Sequence, residues 1–371
     1  MIEVMQPSMR LPGAANQIHS VGAHEQMASD VEKWPIPGNP NHFVGARHHT
    51  VPRFYLEYWA DAGGHIDVVE KPGGRRYRTV PKTASAETDF YTFIDSDGNP
   101  AGHMEQALGM IEADASAAIS RITHPVFGQF PPPPDDRYTI ATLIAFQKVR
   151  GKRRRREIET QTDFYMKLQY SGLDNEAIKS LLERRVGEAN TEQIAEMEEF
   201  VANLHEYEFV PDPNEHLRMM GKLAERIFQH LMRRHWYLGV FEEPILITCD
   251  EPVMLHKENP SPIRGYGFLE ADEVWFPLNP SMLLILALEP HPIPVRFPAS
   301  ASTAETVNAY AAHNAYQNIF LHPKQPDVDA ERLVDTPLYQ VTAPVDMILP
   351  DGANKPLKNR TTARRRKPKR K

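Results

Sequence analysis

Two adjacent histidines, His48 and His49, precede an aromatic and aliphatic segment that ends at Leu56. An imidazole titrates near neutral pH, so it serves as a general acid, a general base or a metal ligand. In an extended segment neighbouring side chains point to opposite faces, so only one of the two histidines can enter a given pocket. We take His49 as the catalytic candidate and His48 as a supporting or binding residue. The alternative is a histidine held by structural hydrogen bonds beside a histidine in water.

A glutamine and an arginine, Gln147 and Arg150, share one face of a predicted helix with apolar residues. A guanidinium on a core-facing stripe is costly unless carboxylates or a ligand pair with it. Arginine also binds phosphate or carboxylate with two parallel hydrogen bonds. We therefore predict that Arg150 binds an anion and that Gln147 supports it. The alternative is a structural ion pair with Glu105, Glu112 or Asp250.

Two of these acids, Glu105 and Glu112, lie seven residues apart on one edge of an amphipathic pattern. Two helical turns separate them by about 10.5 Å along the axis. That spacing is too wide for both to bind one ion, but each can join a polar network. We predict that both lie beside the catalytic residues, with ordinary surface carboxylates as the alternative.

The segment from Thr248 to Pro252 places a hydroxyl, a thiol and two acids at the end of an apolar strand. Side chains at strand ends often bind or react. We assign Asp250 the role of orienting His49 or of binding a divalent metal; a turn-capping aspartate is an equal alternative. Cys249 is the only cysteine and lacks an activating motif, so we predict that it packs as a small hydrophobe.

The sequence excludes several chemistries. It contains no phosphate-binding G-x-x-x-x-G-K-[ST], no G-x-G-x-x-G, no G-x-S-x-G and no H-E-x-x-H. A single cysteine excludes intramolecular disulfides and cysteine-rich zinc sites, and it favours a reducing cytoplasm. The strongest apolar run, Met282 to Leu288, is too short to cross a bilayer. We therefore expect a cytoplasmic protein with no membrane partner.

The charge is distributed unevenly along the chain. The net charge is −7, but residues 355–371 contain ten basic and no acidic residues, which leaves −17 for the rest. Such a tail can bind nucleic acid or another anionic partner by releasing counterions. The alternative is a solubilising tail that contacts the acidic body.

Composition and periodicity predict a disordered extension over residues 1–45, a single globular domain over 46–350 and a disordered basic tail over 351–371. We predict a hairpin of 65–69 with 75–80 and a short strand at 90–93. Helical periodicity covers 103–122, a segment beginning near 135, and 158–170, 174–186, 191–207, 214–238 and 304–318. Later strands are predicted at 244–248, 273–276, 282–288, 295–297 and 319–321. The fold class is α+β, with a helix-rich middle and terminal strands that form one mixed or antiparallel sheet.

Together these segments form an ordered pattern. It consists of H-H-x-V-P-x-F-Y-L at His48 to Leu56, F-Y at Phe90, E-x6-E at Glu105, Q-x-x-R at Gln147, T-C-D-x-P at Thr248, F-P-L-x-P at Phe276 and an asparagine, Asn308. The pattern runs over roughly residues 46 to 323 and resembles a widespread, mostly bacterial family, domain of unknown function 4238. The resemblance implies that His49, Arg150 and Asp250 belong to one site, and it adds Asn308. It implies no substrate. The chain departs from the family pattern at Cys249, where the family usually has serine.

Two hypotheses follow. The leading one is a hydrolase or nuclease that acts on a phosphate-bearing substrate, with His49 as general acid or base, Arg150 on the anion and Asp250 on the histidine or a divalent metal. The rival is a non-catalytic binding module whose basic tail recruits nucleic acid or an acidic partner.

Overall fold

The computed structural model describes residues 45, 47–95, 97–261, 265–329, 333 and 361–365. These residues form two compact units. The first unit comprises 155–216 and 361–365, and the second comprises the described residues of 45–154 and 217–333. The prediction of one globular domain over 46–350 stays a prediction. The predicted disordered extension over 1–45 lies outside the described residues except for residue 45.

The strands are β1 (Arg47–His49), β2 (Ile66–Glu70), β3 (Arg76–Thr79), β4 (Ala86–Thr88), β5 (Phe93–Ile94), β6 (Pro100–Ala101), β7 (Tyr207–Pro211), β8 (His235–Val240), β9 (Thr248–Cys249), β10 (Met254–His256), β11 (Glu273–Asn279), β12 (Met282–Ala287), β13 (Arg296–Pro298), β14 (Asn318–Leu321) and β15 (Thr361–Arg365). The α-helices are α1 (Arg53–Glu57), α2 (Pro81–Ala84), α3 (His103–Thr123), α4 (Pro134–Val149), α5 (Lys152–Ser171), α6 (Asn175–Val186), α7 (Thr191–Ala202), α8 (Pro213–Arg233) and α9 (Ala301–Asn314). This composition confirms the predicted α+β class.

The second unit contains a five-stranded sheet with the order β10-β11-β12-β8-β13, antiparallel except where β13 runs parallel to β8. All six residues of β12 are buried. The reason is that both sheet faces are covered: Leu284 and Leu286 pack into a core with α3 and α4, while Leu283 and Ile285 pack into a core with α9. A strand buried on both faces becomes an uninterrupted apolar run.

A four-stranded antiparallel sheet, in the order β3-β2-β14-β9, joins segments from both ends of the second unit. The predicted hairpin appears here as β2 and β3. The predicted joining of strands from both ends occurs in this sheet, and a second, five-stranded sheet is built from residues 235–298 alone. Ribbons of β1 with β4 and β5 with β6 complete the strand pairing of this unit among the described residues.

Some predicted boundaries shift. The helix predicted to reach residue 238 ends at Arg233, and β8 begins at His235. The segment after Arg233 is rich in aromatic and β-branched residues, and it pairs with β12 on one side and β13 on the other. These tertiary pairings outweigh the helical periodicity that precedes them. The helix predicted over 191–207 ends at Ala202 for a similar reason, because β7 begins at residue 207.

The first unit contains the part of α5 from Arg155 onward, then α6, α7 and a two-stranded ribbon of β7 with β15. Its core consists of eight buried side chains: Met166, Tyr170, Ile178, Leu182, Met197, Phe200, Leu204 and Phe209. The strand β15 falls within the predicted disordered tail; the rest of that tail lies outside the described residues. In the described parts of both units, no helix is long and apolar enough to span a membrane.

Candidate functional site

His48 and His49 lie in β1, which pairs with β4, and their side chains point to opposite faces because successive residues of a strand alternate. Arg47 is exposed, His48 is fully buried and His49 is half-buried. His48 Nδ1 accepts a hydrogen bond from the backbone N–H of Tyr91 at 2.9 Å, and the two rings stack with centroids 5.8 Å apart. His48 therefore supports the turn that carries Tyr91, while His49 lies on the opposite face of the strand.

Arg150 follows the last residue of α4, and its side chain turns inward beside Gln147. Arg150 Nε donates to Gln147 Oε1 at 2.8 Å, and Gln147 Nε2 donates to the Thr50 carbonyl at 3.0 Å. Arg150 Nη1 donates to Glu112 Oε1 at 2.7 Å. The amide thus connects the arginine to the backbone next to His49. This network brings four segments of the family pattern together, since Tyr91 also donates its hydroxyl to the Arg150 carbonyl at 3.2 Å.

The guanidinium of Arg150 is sealed from solvent. The residue is 2% exposed, and Nη2 has no hydrogen-bond partner among the described residues. Burial is the largest single influence and lowers the pKa of Arg150, but the charge of Glu112, the hydrogen bond to it and the nearby Tyr91 and Glu105 together raise that pKa above its ordinary value. Arg150 is therefore a permanent buried cation whose nearest charge partner is Glu112.

Glu105 on α3 has the pKa expected of a residue that exchanges protons near neutrality. Burial, together with the nearby negative charge of Glu112, raises the pKa of Glu105 to about 7. The positive charge of Arg150 and a hydrogen bond from the backbone N–H of His49 oppose this rise. At neutral pH Glu105 is thus close to half protonated, whereas Glu112 is paired with the arginine.

The imidazole of His49 is fixed in one tautomer. Its Nε2 lies 3.0 Å from the Lys82 carbonyl oxygen, and because a carbonyl can only accept, Nε2 carries the proton. The lone pair of the neutral ring is then on Nδ1. Burial lowers the pKa of His49 below its ordinary value of 6.5, and the charges of Arg150 and Arg47 act in the same direction. A neutral imidazole with a defined basic atom is the form that a general base needs.

Asp250 lies in a different network. Its carboxylate accepts hydrogen bonds from the backbone N–H groups of Tyr316, Gln317 and Asn318 at 2.8, 2.8 and 3.1 Å. Among the described residues none of its hydrogen bonds reaches His49 or Arg150. The structure thus brings His49, Arg150, Gln147, Glu105 and Glu112 together, and it places Asp250 in the turn that precedes β14.

Glu251, beside Asp250, is a buried acid that the sequence reasoning did not select. Burial raises its pKa to about 8, and the charge of Asp250 contributes to the rise. A Cβ added to Gly151 would overlap the carboxylate of Glu251, so a larger residue at that position requires this buried carboxylate to shift. Cys249 is also fully buried, and burial raises the pKa of its thiol. The only sequence signal for Glu251 was its place in the Thr248 to Pro252 motif.

The remaining motif residues hold segments together. Asn308 accepts a hydrogen bond from the Ile247 N–H and donates to the Ile245 carbonyl, which attaches α9 to the chain before β9. The hydroxyl of Tyr55 donates to the Pro277 carbonyl at 2.8 Å and lies 2.8 Å from Thr248 Oγ1. Asn308 is therefore a structural residue of the second unit rather than a neighbour of His49.

A further polar cluster has no counterpart in the motifs. His291 Nε2 lies 2.6 Å from Glu273 Oε1, and Trp275 Nε1 donates to Glu273 Oε2 at 2.5 Å. Glu273 and His291 are distant in sequence and come from β11 and a loop. No local pattern identifies such a pair, so only the fold reveals it.

Two surface cavities lie away from the predicted site. They have volumes of about 380 and 220 Å³, and no residue predicted for the site lines either of them. Within the described residues no group of three or more His, Cys, Asp or Glu side chains is arranged to hold a metal. Three backbone N–H groups occupy acceptor positions of the Asp250 carboxylate, and the metal role predicted for this residue stays a prediction.

The family model described as Protein of unknown function (DUF4238) matches residues 47–325. Because that match covers well over half of the chain, the protein belongs to this family, as the order of its motifs predicts. No curated protein and no solved structure matches the chain. The family description names no activity, so the function has to be argued from the geometry of the site.

Proposed function

We propose that the second unit hydrolyses a phosphate-bearing substrate, such as a phosphodiester of a nucleic acid, by general acid–base catalysis at His49 and Glu105. The observation that carries the proposal is that the Glu105 carboxylate accepts a hydrogen bond from the backbone N–H of His49, so that an acid lies beside the imidazole; the directions of their two pKa shifts support it. The pKa of His49 is lowered from 6.5, whereas that of Glu105 is raised to about 7. Between these two values the base is deprotonated and the acid is protonated, which is the pairing that hydrolysis requires.

Each residue has a defined task in the proposal. His49 Nδ1 takes a proton from a water molecule whose oxygen attacks phosphorus. The P–O bond to the leaving group breaks as Glu105 gives its proton to that oxygen. Arg47 is exposed and lies two residues before His49 on β1, so it supplies positive charge on the same face of the strand. Arg150 is a positioning residue, because its sealed guanidinium acts through Gln147 and Glu112.

The test is the hydrolysis of bis(4-nitrophenyl) phosphate and 4-nitrophenyl phosphate by the full chain. We expect a bell-shaped pH profile whose alkaline limb falls near the pKa of Glu105, about 7. The variants His49→Gln and Glu105→Gln should each lose about a hundredfold in kcat. Matched controls are His65→Gln, which replaces a part-exposed histidine in a loop, and Asp114→Asn, which replaces an exposed carboxylate on α3. Wild-type rates in both active-site variants would refute the proposal.

A second candidate function, favoured by the ten basic residues of 355–371, is the binding of nucleic acid or another anionic partner without chemistry. We propose it as the alternative because the sealed Arg150 and the backbone-bound Asp250 also suit purely structural roles. Deleting 355–371 should then remove binding of a labelled oligonucleotide, while His49→Gln should leave it intact. We also infer a cytoplasmic location, which the single, fully buried Cys249 supports.

A further inference from the structure

The two edges of β7 in the first unit are covered in different ways. The N–H of Phe209 donates to Asp163 Oδ1 at 2.9 Å, so a side chain caps that edge. Because N–H groups alternate along a strand, those of Glu208 and Val210 point to the opposite edge. There β15 pairs antiparallel with β7, with Thr362 opposite Val210 and Ala363 opposite Phe209. The C-terminal segment thus occupies the one edge that Asp163 leaves open.

The core of the first unit holds β7 in place. Phe209 is fully buried, its ring stacks on Tyr170 with centroids 5.6 Å apart, and it meets Phe200 edge-on at 6.1 Å. An edge strand fixed in this way is a template for pairing with an extended segment. Since this anchoring involves residues of 155–216 alone, the edge does not depend on β15 for its position.

Charge determines which segment suits this edge. Residues 155–216 contain fifteen acidic and six basic residues, a net charge of −9, whereas residues 355–371 contain ten basic residues. The register places Arg364 opposite Glu208. Opposite charges at paired strand positions favour the pairing, and a surplus of acid around the edge attracts a basic chain.

We propose that the open edge of β7 is a docking site for a basic, extended segment, and that its occupant is this chain's own C-terminal segment. Docking also masks the basic arm, residues 355–371, which otherwise binds polyanions. The masking rests on the second candidate function, whereas the docking stands without it. The arm binds a polyanion only in molecules whose β15 is undocked. Its apparent affinity is therefore reduced in proportion to the fraction of such molecules.

Two proline variants of the full chain test the docking. In an antiparallel pair Thr362, opposite Val210, directs its N–H toward β7, whereas the N–H of Ala363 points away. Thr362→Pro therefore removes a ladder donor, while Ala363→Pro keeps the ladder and the same charge. The readout is protection from trypsin at Arg364 and Arg365. It is the cleavage rate of a synthetic peptide of residues 355–371 with the same substitution, divided by the cleavage rate of the full chain. This ratio cancels the effect of proline on the protease.

We expect wild type and Ala363→Pro to be protected about tenfold and Thr362→Pro to be cleaved like its peptide. Equal protection of the two proline variants, or none in wild type, would overturn the docking. Light scattering that shows a dimer for wild type and a monomer for Thr362→Pro would also overturn it, because the strand would then come from a second copy.

A fluorescent thymidine 20-mer tests the masking. Thr362→Pro should bind it about fivefold more tightly than wild type or Ala363→Pro, because its arm is released. Equal affinities would refute the masking. If no variant binds the oligonucleotide, the second candidate function fails, and the protease ratio still decides whether the tail docks.

Discussion

The second unit contains two pairs of carboxylates, Glu105 with Glu112 and Asp250 with Glu251, that are stabilised by different partners. In the first pair a side-chain cation, Arg150, lies beside the acids, and both acids remain partly exposed. In the second pair backbone N–H groups hold Asp250, and both acids are buried. Backbone donors fix a carboxylate in the fold, whereas a partly open pair can exchange protons with a ligand. The contrast shows why similar residue types give a candidate active site in one place and a structural corner in the other.

We expect the largest loss of stability when the buried cation of the first pair, Arg150, is replaced. Arg150→Met leaves Glu112 and Gln147 without their partner, so the free energy of unfolding should fall by about 3–5 kcal/mol. Urea denaturation measures the loss. The control is Arg53→Met, which breaks an exposed ion pair with Glu57 and should cost about 1 kcal/mol or less. A loss for Arg150→Met as small as the control would show that the network does not stabilise the fold.

The second pair should respond almost as strongly. Asp250→Asn places an amide group against the N–H donors of residues 316–318, so we expect a loss of about 2–3 kcal/mol of unfolding free energy. Asp114→Asn, on the exposed side of α3, serves as the control and should change stability by about 0.5 kcal/mol or less. Similar values for the two variants would contradict the assignment of Asp250 to the turn.

Substitution of Gly151 measures how tightly the carboxylate of Glu251, in the second pair, is packed. Gly151→Ala forces a Cβ against the carboxylate of Glu251 and should cost about 1–3 kcal/mol. Gly109→Ala is the matched control, since it lies exposed in the middle of α3 with no atom near the new Cβ, and it should stabilise by about 1 kcal/mol. In a Glu251→Ala background the cost of Gly151→Ala should largely vanish. An unchanged cost there would locate the strain elsewhere.

Sequence reasoning identified the first cluster better than the second. Gln147 and Arg150 stand out because polar residues interrupt an apolar helical face, and Glu105 and Glu112 share one edge of the neighbouring helix. The role of Asp250 depends on which backbone groups the chain brings to it from residues 316–318, and no local pattern encodes that. The same limit hid the Glu273–His291 pair and the pairing of 361–365 with β7, since both join segments that are distant in sequence. Periodicity predicted most helices and the β2–β3 hairpin, but it missed β8, whose strand pairing is tertiary.

The pH dependence of stability should differ between the two pairs. A carboxyl group with a raised pKa stabilises the fold below its ordinary value of 4.5, and the contribution is lost as pH rises through the folded pKa. For Glu105 the loss should end near pH 7, and for Glu251 near pH 8. The stability curve of Glu105→Gln should therefore become parallel to wild type above about 7, and that of Glu251→Gln above about 8, after divergences on the order of 1–3 kcal/mol. Parallel curves over the whole range would refute the shifts.

The smallest effect on stability should accompany the largest effect on activity. His49→Gln loses one hydrogen bond to the Lys82 carbonyl at the surface, so it should cost about 1 kcal/mol or less of unfolding free energy. It also removes the basic Nδ1, so hydrolysis of the phosphate ester should collapse. Asp250→Asn should show the opposite result, with reduced stability but unchanged kcat per folded molecule. Measuring both quantities on both variants separates the pairs in one experiment, because a structural histidine would lose stability and activity together. If His49→Gln instead destabilised the protein as much as Asp250→Asn, both networks would be structural, and the second candidate function, binding through residues 355–371, would replace hydrolysis.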